Sequence, residues 1–223
     1  CLRSIFDQSY QPLEVLIVDG GSTDNTLDLA KNFDVKVIEE RGFSSPANAR
    51  NIGAENAKGD VLLIMDADTI LQKDCVKNAL ECFENEKVIA VLPYDSSSDH
   101  SYLELIQRKW NEGSRTALNV GLKKAKTSGG VIFLRKIVFE KVKYNTEYGF
   151  GEDDDFTARL EEVFEGHEML TVESCRVISH SPHTMRELGT RYMWWGRTFF
   201  AYLSKHLTGK SALNMASLLF PTI

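Results

Sequence analysis

Hydrophobic and polar positions along this chain alternate between two periods. Short, largely apolar runs fall at 14–18, 35–38, 61–65 and 88–92, the third of them preceded by the turn residues Gly59 and Asp60. Such runs read as strands, and the one at 61–65 as a strand buried on both faces. Between them, apolar residues recur at helical spacing over 25–33, 47–57 and 74–84. Pro46 suits the first turn of the second of these helices. Alternation of this kind predicts an α/β domain with a mostly parallel central sheet and helices on both faces. The second half is less regular. It predicts a long amphipathic helix over 102–118, a strand at 131–134, an acid-led helix after Gly151, two short strands at 168–172 and 176–179, and an aromatic-rich C-terminal helix over 185–206.

The run at 61–65 matters most, because it ends in two carboxylates one residue apart, Asp66 and Asp68. Strand alternation would set both on one side, with Ala67 keeping the space between them small. Two like charges so close require a cation or hydrogen-bond donors, and open α/β sheets bind ligands beyond the carboxyl ends of their strands. The pair reads either as a divalent-metal site holding a phosphorylated ligand or as a capping Asp beside a solvated one. Asp19 ends another strand and is followed by Gly20 and Gly21, so it too reads as a binding acid or a cap; Asp24 reads as a cap. Arg50 lies in an otherwise small and apolar helix, placed to meet phosphate, to pair with a strand-end acid, or to face solvent. Glu152, Asp153, Asp154 and Asp155 follow Gly149-Phe150-Gly151, which suggests a shaped loop carrying a general base; a solvated run or a favourable helix N-terminus is the plainer reading. His180 is either structural or a ligand to a metal already held by oxygen donors.

Composition narrows the classes. With 223 residues, 43% hydrophobic and 26% charged, the chain has the balance of a globular protein with a sizeable core. A net charge of −6 without a long basic run argues against nucleic acid as a partner. The four cysteines have neither CxxC nor zinc spacing, and Cys75 and Cys82, seven apart in a helical pattern, suit core packing better than a disulfide, so a reducing compartment is expected. No GxGxxG follows a strand, which argues against a dinucleotide-binding oxidoreductase.

Taken in order, these residues resemble a family 2 glycosyltransferase of the GT-A fold. The resemblance rests on Cys1-Leu2-Arg3-Ser4-Ile5 with Gln8-Ser9-Tyr10, on Glu14 to Asp24, on Ala49-Arg50-Asn51-x-Gly53, and on Gly59-Asp60 to Asp68. It continues through Ser128-Gly129-Gly130 and Gly151-Glu152-Asp153-x-Asp155-Phe156-x-x-Arg159-Leu160. It implies transfer of a sugar from a nucleotide-diphosphate sugar to an acceptor hydroxyl with inversion, dependent on Mn²⁺ or Mg²⁺. It implies that Asp19 reads the nucleobase edge, Arg50 lies near base and phosphates, Asp66 is the ribose-side acid, and Asp68 holds the metal together with His180. Gly129 and Gly130 would line the nucleotide-sugar site, and Asp153 would be the base with Glu152 beside it.

The family's opening strand, a Pro-Thr-Tyr-Asn-like segment, precedes none of these motifs here, so an N-terminally incomplete catalytic domain over 1–184 is expected. The Gln-x-x-Arg-Trp motif of processive enzymes is missing, which favours single transfer over polymerisation. Alternatives are a nucleotidyltransferase-type nucleotide-sugar enzyme and a non-catalytic nucleotide-sugar-binding domain of the same fold.

The segment 185–223 would form the C-terminal helix and the start of an apolar stretch. Adjacent Trp194 and Trp195 point about 100° apart on a helix, and Arg186, Arg191, Arg197 and Lys205 are interleaved with the aromatics. One reading packs this helix across the catalytic domain. The other rests it on a membrane face beside a lipid-linked or saccharide acceptor, with Arg191 or Arg197 reaching the donor diphosphate. That reading fits polysaccharide or glycolipid biosynthesis in the cytoplasm or at the cytoplasmic face of a membrane.

Overall fold

The computed structural model describes residues 1–12, 14–40, 45–95, 130–147, 151–179, 184–190 and 193. The expected helix over 102–118, Gly129, His180, Arg191, Trp194, Trp195 and Arg197 lie outside the described residues. The chain divides into two compact units. One comprises residues 1–97, 126–147 and 152–180, and the other residues 98–125, 148–151 and 181–223. Within the second unit, residues 185–190 are helical; Leu188 is buried, and Met185 is exposed. None of the helices among the described residues is long and apolar enough to cross a membrane.

The first unit carries every strand among the described residues. Its elements are α1 (Leu2–Phe6), β1 (Leu16–Asp19), α2 (Thr26–Ala30), β2 (Lys36–Glu39), α3 (Pro46–Asn56), β3 (Val61–Ile64) and β4 (Thr69–Leu71). There follow α4 (Cys75–Cys82), β5 (Val88–Asp95), β6 (Ile132–Arg135), α5 (Lys136–Lys141), α6 (Glu152–Val163) and β7 (Glu168–Ser179). The predicted strands and helices of the first 92 residues are present within a few positions, while the two short strands expected at 168–172 and 176–179 are one continuous strand, β7.

The sheet corrects the expectation of mostly parallel pairing. β1 and β2 form a parallel pair, and the larger sheet runs in the order β3-β6-β5-β7-β4. In that sheet only β5–β7 is parallel; β3–β6, β5–β6 and β4–β7 are antiparallel. The reason is local. Ile132, Phe133 and Leu134 are an apolar run buried from both sides, and such a run has the same pattern whichever way the strand enters the sheet. Here β6 inserts between β3 and β5, pairing Leu62 with Leu134 and Ala90 with Leu134 from its two edges.

Two clusters of buried side chains pack on this sheet. One gathers Leu62, Ile64, Leu92, Leu134, Phe139, Tyr144, Phe156 and Leu160 with Ala47 and Ala54 of α3, whose small residues let that helix lie close. The other gathers Val88, Val91, Phe133 and Val177 with Cys75, Val76 and Ala79 of α4. Arg135 closes the end of α4: its guanidinium donates to the carbonyls of Phe83 (2.7 Å) and Val88 (3.0 Å) and lies over the Phe83 ring. Within the second cluster Cys75 and Cys175 form a disulfide between α4 and β7, both residues fully buried. Cys75 and Cys82 are not paired with each other, as their spacing predicts, but Cys75 does pair with Cys175, a bond the sequence does not foretell. The partners are 100 residues apart and meet only because α4 packs on β7, a proximity that spacing does not reveal. Cys82 is a free thiol, as its helical spacing from Cys75 suggests.

Gln8 fastens α1 to the rest. Its amide donates to the carbonyls of Ser4 (3.0 Å) and Gln72 (2.9 Å), and its oxygen accepts the Val76 N–H at the start of α4 (3.1 Å). Only 3% of the Gln8 surface is exposed, and its bond to the Val76 N–H is buried. Gln8→Ala removes all three bonds at once. It is expected to lower unfolding free energy by about 1–3 kcal/mol in urea titrations, whereas substituting exposed Gln11 should cost less.

Candidate active site

The site is assembled from α3, the turn after β3, the start of β6 and the N-terminus of α6. Ser45 caps α3 by accepting the Asn48 N–H (3.2 Å), and Pro46 occupies its first turn. The helix so fixed carries Arg50, whose side chain is only 8% exposed. Its guanidinium holds three carboxylates: one Nη donates to Asp66 (2.8 Å), the other to Glu152 (3.0 Å) and Asp153 (2.8 Å). Of the readings open to Arg50 in the sequence, pairing with strand-end acids is the one these contacts display.

The Asp66-Ala67-Asp68 segment is a turn rather than extended strand, closed by the Thr69 N–H donating to the Asp66 carbonyl (3.2 Å). Strand alternation therefore does not set the two carboxylates; Asp66 turns to Arg50, while Asp68 is exposed. Gly130, with φ +94°, backs directly onto Asp66: a Cβ built there would fall inside the carboxylate. Both the dihedral and the lack of space require glycine at this position.

The acidic run divides by helical rotation. All four acids lie in the first turn of α6, where the helix dipole favours them. Glu152 and Asp153 face Arg50, while buried Asp155 pairs with Arg159 one turn on, at 2.7 Å. Arg159 also donates to the Lys143 carbonyl, tying α6 to the segment that follows α5.

Tyr144 was not singled out by the sequence patterns, and no periodicity marks it. It is buried, stacks on Phe156 at 4.0 Å between centroids, and presents its ring to the Arg50 guanidinium at 5.3 Å. Neighbouring Asn51 fixes it by a reciprocal pair of bonds: its amide donates to the Tyr144 carbonyl (2.9 Å) and its oxygen accepts the Tyr144 N–H (3.0 Å). A small cavity beside the cluster is lined by Gly130, Ile132, Tyr144, Asp153, Phe156 and Thr157.

Electrostatics follow from burial. Loss of hydration raises the Asp153 carboxyl to about 7; Arg50 opposes that rise, and Glu152, Asp66 and Asp154 add to it. Burial works against the Arg50 charge, but the surrounding acids, Asp153 first, more than reverse this and keep it protonated. The hydrogen bonds of Asp19 go to its own turn. Its carboxylate accepts the Ser22 hydroxyl and the N–H groups of Ser22 (3.1 Å) and Gly21 (3.0 Å), and these bonds lower its pKa. Asp24 accepts the Thr26 N–H (3.0 Å) at the start of α2, the bond its reading as a cap calls for. Among the described residues no group of three or more His, Cys, Asp or Glu side chains is arranged to hold a metal ion.

Residues 1–103 match the profile of Glycosyl transferase family 2. The chain carries a glycosyl transferase family 2 domain. Over 111 residues it is 29% identical to glycosyltransferase GlyG of Streptococcus pneumoniae, covering 46% of this chain and 37% of that protein. Over 206 residues it is 25% identical to the O-antigen chain rhamnosyltransferase RfbN of Salmonella typhimurium, covering 86% of this chain and 64% of RfbN. The glycosyltransferase domain thus spans less than two thirds of these relatives' lengths. Its fold matches the mannosyltransferase PcManGT from Pyrobaculum calidifontis, solved in complex with GDP-Man and Mn²⁺. The TM-score is 0.65 at 20% identity, over 97% of this chain and 64% of that one. The fold is accordingly that of GT-A glycosyltransferases, with a mixed sheet.

The raised Asp153 pKa has a sign that can be measured. The unfolded carboxyl titrates near 3.8 and the folded one near 7, so between these values the native state binds the extra proton. The stabilisation is fully present below about pH 4 and is lost as pH rises through about 7. Relative to Asp153→Asn, which does not titrate, the native protein should lose stability over that window in urea titrations at successive pH values.

Proposed function

We propose that the chain is an inverting, metal-dependent glycosyltransferase that moves a sugar from a nucleotide-diphosphate sugar to an acceptor hydroxyl. The observation that carries this reading is the Arg50 cluster, in which an acid at the end of β3 and an acid at the head of α6 are held on either side of one guanidinium. Asp66 stands for the donor side and Asp153 for the acceptor side. Asp153 takes the proton of the acceptor hydroxyl as that oxygen bonds to the anomeric carbon; the bond to the diphosphate breaks and its electron pair leaves with the phosphate. Attack opposite the leaving group inverts the centre. A base whose pKa lies near neutrality is suited to this step.

The residues fit a divalent ion in two respects. Asp66 and Glu152, joined by Asp153 when it is ionised, outnumber the single guanidinium and leave an excess of negative charge. Exposed Asp68 adds the hard oxygen donor that Mn²⁺ and Mg²⁺ favour. Asp68 would hold the ion, with His180, which lies outside the described residues. When bound, the ion supplies Lewis-acid stabilisation of the departing diphosphate. Asp19, Gly129, Gly130, Arg191 and Arg197 complete the proposed nucleotide-sugar site, and a saccharide or lipid-linked hydroxyl is the proposed acceptor. PcManGT was solved with GDP-Man and Mn²⁺, so GDP-mannose belongs in the first donor screen by thermal shift with Mn²⁺.

Two substitutions separate the roles. Asp68→Ala should abolish the Mn²⁺-dependent part of nucleoside diphosphate binding in calorimetric titrations; equal affinity with and without Mn²⁺ in the native protein would contradict the metal assignment. Asp153→Asn should lower turnover by about 10²–10⁴-fold, the usual worth of a general base, with donor affinity nearly unchanged. Loss of activity in Glu152→Gln with Asp153→Asn still active would move the base to Glu152.

A further inference from the structure

Arg50 joins residues that the sequence keeps far apart. Its bond to Asp66 spans 16 positions, and its bonds to Glu152 and Asp153 span 102 and 103. No other described contact of Asp66 or Asp153 joins the turn after β3 to the head of α6. The guanidinium does so with both forks, and it is held in place from behind. Tyr144 lies against its face, Asn51 of the same helix pins the Tyr144 backbone from both its N–H and its carbonyl, and Phe156 of α6 stacks on the ring. Gly130 lies against the Asp66 carboxylate, where any Cβ would collide with it. The orientation of the fork is thus set by α3, by the segment after α5 and by α6 at once.

We propose that Arg50 is a positioning residue: it yokes the donor-side acid Asp66 to the acceptor-side acid Asp153 and so fixes the distance over which the sugar is transferred, rather than binding the nucleotide diphosphate itself. This rests on the reading of Asp153 as base and Asp66 as donor-side acid. Its chemical ground is that both Nη groups are committed to carboxylates and the side chain is only 8% exposed. Lysine cannot replace it, because a single ammonium carries the charge without the two-ended planar fork. Glu152, buried and sharing an Nη with Asp153, belongs to the yoke and steadies the fork.

The test uses the intact chain, with Mn²⁺ and GDP-mannose or whichever nucleotide sugar the donor screen selects, and follows release of the nucleoside diphosphate. Arg50→Lys is expected to lower kcat by about 10²-fold, the scale of a misplacement of about 1 Å. KM for the donor and calorimetric affinity for the nucleoside diphosphate should stay within about threefold, since uniform binding is untouched. The double variant Arg50→Lys/Asp153→Asn should be no slower than Asp153→Asn alone, because groups that act as a unit are not additive. Should Arg50→Lys fail to fold by circular dichroism, Tyr144→Leu, which removes the aromatic face and leaves every charge, must show the same split of kcat against KM. A tenfold loss of nucleotide affinity with kcat preserved would make Arg50 a donor contact and overturn the proposal. Multiplicative losses in the double variant would overturn it while leaving Asp153 as base. A fully active Asp153→Asn would overturn the base assignment, and the yoke with it.

Discussion

A single buried guanidinium sets the arrangement of this domain's polar centre. Three carboxylates drawn from two distant segments converge on Arg50, and so buried a guanidinium is tolerable only because its charge is paired at hydrogen-bond distance. Without the guanidinium the acids would repel one another. Removing one partner of a buried pair typically costs ~3–5 kcal/mol, so the cluster shapes the fold as well as the chemistry.

The packing around it serves that constraint. Small residues on α3, Ala47 and Ala54, let the helix approach the sheet, which carries Arg50 to the level of the β3 turn. The stacked pair of Tyr144 and Phe156 then forms the floor on which the fork rests, and both rings belong to the larger apolar cluster. Core and site are therefore continuous: the same Tyr144 that fills the interior also orients the cation. The second cluster, with its Cys75–Cys175 disulfide and the Gln8 staple, packs on the opposite face of the sheet, as the alternation of Leu62 and Ile64 with Val61 and Leu63 requires.

Electrostatics connect the fold to its proposed chemistry. Asp153 is caught between loss of hydration, which favours its neutral form, and Arg50, which favours the anion. The balance falls near neutrality, where a carboxylate can both accept and release a proton. Asp155, two positions on, is equally acidic in sequence but is committed to Arg159 on another face of α6. Identical chemistry along four consecutive residues is thus divided into separate roles by the rotation of one helical turn.

The sequence by itself determined the α/β alternation, the helix start at Pro46, the turn chemistry at Asp19 to Asp24, and the candidate acids Asp66, Asp68, Glu152 and Asp153. These features are local, written in periodicity, caps and short motifs that need no partner to be recognised. Tertiary structure decided the rest. The direction of β6 was hidden because a fully buried apolar run carries no directional pattern. The Cys75–Cys175 bond was hidden because its partners are 100 residues apart. Asp66 and Asp68 had looked like neighbours on one strand face, but the close of the turn at Thr69 sends them to different surroundings. Tyr144 carried no signal at all, since its importance lies in the ring it stacks on and the cation it faces. Arg50 was visible as an unusual residue in an apolar helix, yet three readings of it stood open. Only the folded chain, by bringing the head of α6 to the end of β3, selects the pairing with acids.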